Sequence, residues 1–280
     1  MQSKSKVYAV ISTKGGVGKT TLSANLGAML ADMGKRTLLI DTDPQQSLSR
    51  TYEITQQASG GLTQLYRSAS TDGCISQTAI QGLDIVLNDD PHGDGAIPTF
   101  LRESVVHFQY LHIALLALKG YDYVVVDTQG SKGIVQESVI FAADTLVSPV
   151  VPQALDTREF VLGTVGFLNK FKPRPGVISI TGRPIPPMRV VVNMWDRSKS
   201  AQESVNYLRS EFDKQLDGQV TVLNTIIPDL QVYADSVGMG TPAHREETRR
   251  RGPTQAARDT MVDLVQELEP KLLGLAPEWK

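Results

Sequence analysis

Cysteine occurs once in the 280 residues, as Cys74, which excludes an internal disulfide and a four-thiolate metal cluster built by one chain. A symmetric pair of chains could still share thiolates between its halves. Long apolar runs are missing too. Stretches such as 111–118 (LHIALLAL) fall far short of the about 20 residues that cross a bilayer, so no membrane partner is expected. The opening MQSKSKVYAVIS has two lysines but only a short apolar run, and reads as a first strand instead of a signal peptide. No internal repeat is visible, and a net charge of −2 leaves no uniformly basic surface. Charge is nevertheless uneven: between Asn169 and Lys199 lie Lys170, Lys172, Arg174, Arg183, Arg189, Arg197 and Lys199 against one acid, Asp196. What is present is the apolar and charged balance of an ordinary globular chain, long enough to bury one large core.

The order of patterns predicts an α/β fold. Residues 7–12 (VYAVIS) are an apolar run of strand length, and 20–33 place Leu22, Leu26, Met29, Leu30 and Met33 at helical spacing before 37–41 (TLLID) begins the next strand. Further strands are expected at 84–87, 122–127, 145–151, 188–193 and 220–227, with helices at 99–119, 134–142, 157–170, 200–214 and 254–273. This strand–helix alternation is that of a parallel sheet covered on both faces, to which the VVV runs at 124–126 and 190–192 are suited. Segments 88–98 and 172–187, rich in Pro, Gly and polar residues, are expected as excursions from one domain spanning 1–280.

Between the first strand and the first helix stands KGGVGKT at 14–20. A phosphate loop, GxxxxGK[ST], surrounds phosphate oxygens with backbone N–H groups and a helix N-terminus. Gly18, Lys19 and Thr20 supply its last three positions, while Thr13 stands where the first glycine belongs. Gly15, Gly16 and Gly18 permit close backbone approach; with Val17 and Thr21 they form the expected nucleotide-binding stretch. Lys19 is expected on the β and γ phosphates and Thr20 on magnesium. Hydrolysis also needs groups that hold the metal and align water, at the C-terminal ends of neighbouring strands. Asp41 and Asp43 follow TLLI, and Asp127 follows YVVV. Each could instead form a turn, but three such carboxylates beside a phosphate loop favour chemistry. Asp43 is assigned to the water, and Asp41 and Asp127 to magnesium through its coordinated waters.

KGGVGKTT at 14–21, LLIDTDPQQS at 39–48 and DYVVVDTQG at 122–130 resemble the deviant Walker A, second acidic and Walker B motifs of the ParA/Soj-like partition ATPases, a group that includes MinD. The likeness of order extends to 223–228 (LNTIIP) and 238–242 (GMGTP). The resemblance implies a single-domain P-loop NTPase fold, ATP and Mg2+ as cofactors, an ATP-bound homodimer, nonspecific binding of double-stranded DNA, and slow hydrolysis stimulated by a ParB-like protein. It further implies a cytoplasmic, nucleoid-associated place in a bacterium. Lys14 corresponds to the lysine that crosses the dimer interface, and Gly15 to the position where the two loops approach. Read from the residues alone, a lysine just before the glycines adds charge where negative charge accumulates. Departures are Gln46, where a glycine is usual, Thr128 and Gln129, where proline is usual, and Asp229 in place of an arginine. No helix-turn-helix pattern precedes Lys6, so sequence-specific operator binding is not expected.

Lys and Arg contacts to backbone phosphates bind DNA without reading bases. The 170–199 group and the cluster Arg245, Arg249, Arg250 and Arg251 are the candidates, each of which could instead be a solvated surface. Asn193 and Pro228 are candidate adenine-side residues, with helix or strand capping the alternative for Asn193. The stripe Met261, Leu264, Val265, Leu268 and Leu272 carries an acidic polar face, so it is expected to pack on the domain and not on a membrane. A nucleotide-gated scaffold that positions another assembly is the competing function. An electron-transfer reductase would need cluster cysteines that a lone Cys74 does not supply.

Overall fold

Alternation along three short strands sets up a sheet with two buried faces. Val7, Ala9, Leu38, Ile40, Val124 and Val126 point into one core, while Tyr8, Val10, Leu39, Tyr123 and Val125 point into the other, as the two-residue period of a strand requires. The computed structural model describes residues 4–90, 95–169, 184–212 and 218–279. In chain order its first elements are β1 (Lys6–Val10), α1 (Lys19–Asp32), β2 (Thr37–Asp41), β3 (Ile54–Gln56), α2 (Leu62–Ser68), β4 (Ile75–Thr78) and β5 (Leu83–Val86). Then come α3 (Ala96–Glu103), α4 (Tyr110–Ala117), β6 (Tyr123–Asp127), α5 (Ile134–Ala142), β7 (Thr145–Val150) and α6 (Ala154–Glu159). A π-helical turn at Phe160–Val165 leads to α7 (Gly166–Asn169), followed by β8 (Met188–Trp195), α8 (Lys199–Phe212), β9 (Val220–Pro228), α9 (Gln231–Met239), α10 (Ala243–Glu246) and α11 (Ala257–Leu268).

Among the described residues nine strands form one sheet in the order β3-β4-β5-β2-β6-β1-β7-β8-β9. All pairs are parallel except β3–β4 and β4–β5. The first strand is therefore central, and the loop leaving it opens at the C-terminal edge of β2 and β6. Helix α1 covers one face, burying Leu22, Leu26, Met29 and Leu30, each worth about 1.5–3 kcal/mol relative to exposure. Gly27 permits its close seat: a Cβ there would lie 2.5 Å from Leu39 Cδ2. On the same side α11 buries Met261, Leu264 and Val265, so the C-terminal stripe packs on the domain as expected. Among the described residues no helix is long and apolar enough to cross a membrane.

Several expectations change. The single helix expected at 99–119 is broken between α3 and α4, where Ser104 is extended (φ −154°) and its Oγ accepts Val106 N at 3.3 Å. A serine that captures backbone, followed by two β-branched valines, competes with helix continuation. The helix expected at 157–170 begins earlier, at Ala154, and contains the π turn. The antiparallel edge β3–β4 and the helices α2, α9 and α10 are additional. Residues 170–183, which hold Lys170, Lys172, Arg174 and Arg183 and most of the 172–187 excursion, lie outside the described residues.

Candidate functional site

Residues 11–18 join the end of β1 to α1, and two of their glycines adopt left-handed angles, Gly16 at φ 75° and Gly18 at φ 87°. Gly18 is doubly constrained. A Cβ there would overlap Asn193 Nδ2, the atom that donates to Val17 O at 2.8 Å and fixes the loop. An L side chain would also pay about 1–2 kcal/mol for the left-handed angle. Gly18→Ala is therefore expected to weaken nucleotide binding more than about tenfold, measured by fluorescence titration; affinity within twofold of wild type would refute the constraint.

The sheet register makes Asp41 and Asp127 neighbours at the C-terminal edges of β2 and β6. Both are fully buried. Asp127 accepts Thr20 Oγ1 at 2.7 Å and Ser23 Oγ at 2.9 Å, both from the first turns of α1. Burial and then the charge of Asp41 push its pKa up to about 7, against the hydroxyls and Lys19. Asp41 accepts the backbone N and the Oγ of Ser49, each at 2.8 Å, and Asp43 N at 3.0 Å. Burial raises it to about 6 in spite of those bonds. Two buried carboxylates beside a hydroxyl make an all-oxygen donor set, with charge that a cation would offset. Among the described residues no group of three His, Cys, Asp or Glu could cage an ion alone. Magnesium suits this, since it is bound through one or two carboxylates with waters and substrate phosphates.

Beside these groups opens a cleft of 960 Å³, lined by Gly15, Gly16, Gly18, Lys19, Thr20, Thr21, Asp43 and the 129–135 segment. Lys19 is largely buried, which lowers its pKa against the pull of Asp127 and Asp43, and its Nζ donates to Lys14 O at 3.2 Å. Asn88 Nδ2 donates to Asp43 O at 3.1 Å, and Asn88 N donates to Ser49 Oγ at 3.0 Å. Asp43 is thus tied through Asn88 and Ser49 to Asp41. A smaller adjoining pocket of 100 Å³ is lined by Thr21, Asn193, Met194, Pro228 and Tyr233.

A family model described as an AAA domain matches residues 5–170. The chromosome partitioning protein ParA of Caulobacter vibrioides is 32% identical over 250 residues, covering 85% of this chain and 85% of that protein. The chain belongs to the ParA-like partition ATPases. A virulence plasmid ParA family protein of Chlamydia psittaci is 33% identical over 206 residues, 71% of this chain and 73% of that one. Among solved structures, the ATP complex of a Cyanothece McdA variant superposes with a TM-score of 0.75 at 19% identity, covering 99% of this chain and 100% of the other. That likeness is one of fold.

Against the ParA-like motifs, the structure gathers Gly15, Gly16, Gly18, Lys19, Thr20, Thr21 and Asp43 on one cleft, with Asp41 and Asp127 buried behind it. Val17 is also buried, and its contribution is the carbonyl held by Asn193. Asn193 has its amide N–H committed to that carbonyl, so the loop-fixing role is realised, while Pro228 and the rest of Asn193 line the smaller pocket. Lys14 points elsewhere. Its Nζ pairs with Asp156 and, at 3.1 Å, Glu159, both on α6, and the hydrogen bonds it donates to these acids raise its pKa. Thr13, the ParA-like substitute for the first glycine, receives its own anchor there: its N donates to Thr164 Oγ1 at 3.2 Å. Gln46 occupies the left-handed region at φ 57°, which explains why glycine is usual at that position; Nε2 donates to Asn88 O at 2.9 Å. Thr128, where proline is usual, donates its Oγ1–H to Val10 O at 2.8 Å, tying the end of β6 to the end of β1. Ser23, Ser49 and Asn88 are the site residues that sequence reasoning missed. Ser23 alone carried a signal, lying one helical turn from Lys19 and beside Thr20.

Proposed function

We infer that this chain binds ATP with magnesium in the 960 Å³ cleft, hydrolyses it slowly, and uses the bound state to form a homodimer that holds nonspecific double-stranded DNA. The observation that carries the reading is the Thr20–Asp127 hydrogen bond at 2.7 Å at the base of a glycine loop, with Asp41 beside it and Asp43 on the cleft. In this reading Thr20, with Asp41 and Asp127 acting through water, holds magnesium, which supplies charge neutralisation at the phosphates. Lys19 and the backbone N–H groups of Gly15 to Thr21 orient the phosphates, Asp43 positions water, and the Asn193–Pro228 pocket takes the base. We read 1–280 as one domain, a reading supported by the packing of α9, α10 and α11 on α1.

ParA of Caulobacter vibrioides is by name a chromosome partitioning protein, which supports segregation of DNA as the biological output, with a ParB-like protein as the stimulating partner. The described basic residues that could meet DNA are Arg189, Arg197, Arg249 and Arg251, with Lys199 beside Glu203 at 3.9 Å; Arg250 is paired with Glu247 and Arg245 with Asp32. Lys14 would leave Asp156 and Glu159 to reach the phosphates of a second chain. Lys14→Ala is accordingly expected to bind ATP within about threefold of wild type but to weaken ATP-dependent dimerisation at least about thirtyfold. Light scattering with and without ATP measures the second, and a salt-dependent gel shift on duplex DNA follows the dimer. Wild-type protein that shows no ATP turnover, or no salt-sensitive DNA affinity with ATP, would refute the corresponding part of this reading.

A further inference from the structure

The cations around the cleft are unequally available. Lys19 rests on Lys14 O, and Lys14 is turned out of the cleft onto Asp156 and Glu159. Two more cations line the cleft, Arg102 on α3 and Lys132 in the loop between β6 and α5. Among the described residues neither has an acidic partner. Their supports differ. The loop that carries Lys132 abuts the phosphate loop: a Cβ on Gly130 would lie 3.1 Å from both Gly15 Cα and Gly15 N. Gly133, on the other side of Lys132, is the extended residue just before α5 (φ −169°). The backbone of Lys132 is thus fixed at the glycine edge of the cleft, whereas its side chain is exposed.

That side chain lines two spaces at once, the 960 Å³ cleft and an adjoining 710 Å³ groove that also contains Lys14. Its Nζ rests 5.8 Å from the centroid of the Phe167 ring, a weak cation–π contact at an exposed site that an anionic oxygen would displace. The pocket at Pro228 adjoins the cleft at Thr21 and Met194 and is lined without Lys132. A nucleotide with its base in that pocket and its phosphates on the glycines therefore directs its last phosphate toward the Gly15–Gly130 edge.

We propose that Lys132 is a phosphate-contacting residue acting within one chain, swinging from Phe167 into the cleft to neutralise the terminal phosphate of a bound nucleoside triphosphate. The proposal rests on the nucleotide reading above and adds a function to it. Lys132 senses the third phosphate in the monomer, before a second chain can contribute Lys14. One more negative charge at the end of the chain of phosphates is what an ammonium at this edge would distinguish.

The test is a fluorescence titration of wild type, Lys132→Gln and Lys132→Arg with N-methylanthraniloyl-ATP and N-methylanthraniloyl-ADP, in magnesium, at a protein concentration where light scattering shows monomer. Lys132→Gln is expected to lose about tenfold in affinity for the triphosphate and less than twofold for the diphosphate. Lys132→Arg, which keeps the charge, should recover most of the loss. Unchanged diphosphate affinity also serves as the control for folding. Equal losses for both nucleotides, or no loss for either, overturn the proposal while leaving the nucleotide site standing. Wild-type protein that binds neither nucleotide overturns the nucleotide reading and this proposal with it.

Discussion

Asp43→Ala is expected to lower ATP turnover by a factor of about 10²–10⁴, the usual loss when a positioned acid–base group is removed, while ATP affinity stays within about threefold. The expectation follows from where the carboxylate lies. Asp43 lines the cleft, whereas Asp41 and Asp127 are fully buried behind it and are committed to Ser49, Thr20 and Ser23. Of the three it is the acid on the open cleft, where the attacking water would lie apart from the metal-bound waters assigned to Asp41 and Asp127. Asp43 has a second role that complicates a simple truncation, because its Oδ1 accepts Gln45 N at 3.0 Å and so shapes the 43–46 turn. Asp43→Asn separates the two. The amide keeps the turn acceptor and removes the charge. If turnover collapses equally in Asn and Ala variants, the carboxylate is the active feature. If Asp43→Asn turns over at the wild-type rate, Asp43 is a turn former only and its catalytic assignment fails.

The parts of this site that were legible in the sequence are those in which local spacing and sheet geometry coincide. KGGVGKT lies between β1 and α1 because strand ends and helix starts carry their own signals, and a parallel sheet then brings the C-terminal ends of β2 and β6 to that loop. Asp41 and Asp127 become neighbours from that rule alone. Asn88 could not be read in this way. It is placed by the end of β5, whose position beside β2 depends on the order of the sheet and not on the chain, and its partner is a backbone carbonyl that any residue at 43 would offer. Lys14 illustrates a different limit. Its identity was legible, but its direction depends on Asp156 and Glu159, more than a hundred residues away. The antiparallel strands β3 and β4 escaped notice because their burial patterns, with two exposed residues in three and one in four respectively, give too few apolar positions for a period-two signal. The break between α3 and α4 was hidden by the opposite problem, a run apolar enough to pass for one helix.

The far end of the phosphate-loop helix gives the second large expectation. Asp32, the last residue of α1, is 2% exposed in its side chain and accepts Arg245 Nη2 at 2.6 Å, Arg245 Nε at 2.8 Å and His244 Nε2 at 2.7 Å. Burial alone would raise its pKa, but the bonds from Arg245 and His244 outweigh burial and hold it low. His244 is fully buried with its Nδ1 unpartnered among the described residues, and burial lowers its pKa despite the carboxylate beside it; the neutral ring donates Nε2–H. Trp279 packs edge-on to His244 at 5.7 Å, and Glu278 N donates to Asp32 O at 2.7 Å. The Asp32 carboxylate therefore joins α1 to α10, and its backbone carbonyl and the His244 ring tie in the C-terminal segment. Asp32→Ala leaves a buried imidazole and a mostly buried guanidinium without their acceptor, and such a broken pair costs about 3–5 kcal/mol. For a chain of this size that is a fall in Tm on the order of 10 °C, measurable by differential scanning fluorimetry. The pH dependence has a fixed sign. A depressed carboxylate stabilises above its unfolded pKa and loses that contribution as pH falls through its folded one. A histidine held neutral destabilises once the unfolded chain can take up its proton, below about pH 6.5. Wild-type stability should decline as pH drops from about 6.5, and Asp32→Ala, already lacking the carboxylate term, should retain the histidine part of that slope. A loss under about 1 kcal/mol in Asp32→Ala at pH 7.5 would show that the cluster is solvated in solution and does not anchor the helix, because exposed ion pairs contribute no more than that.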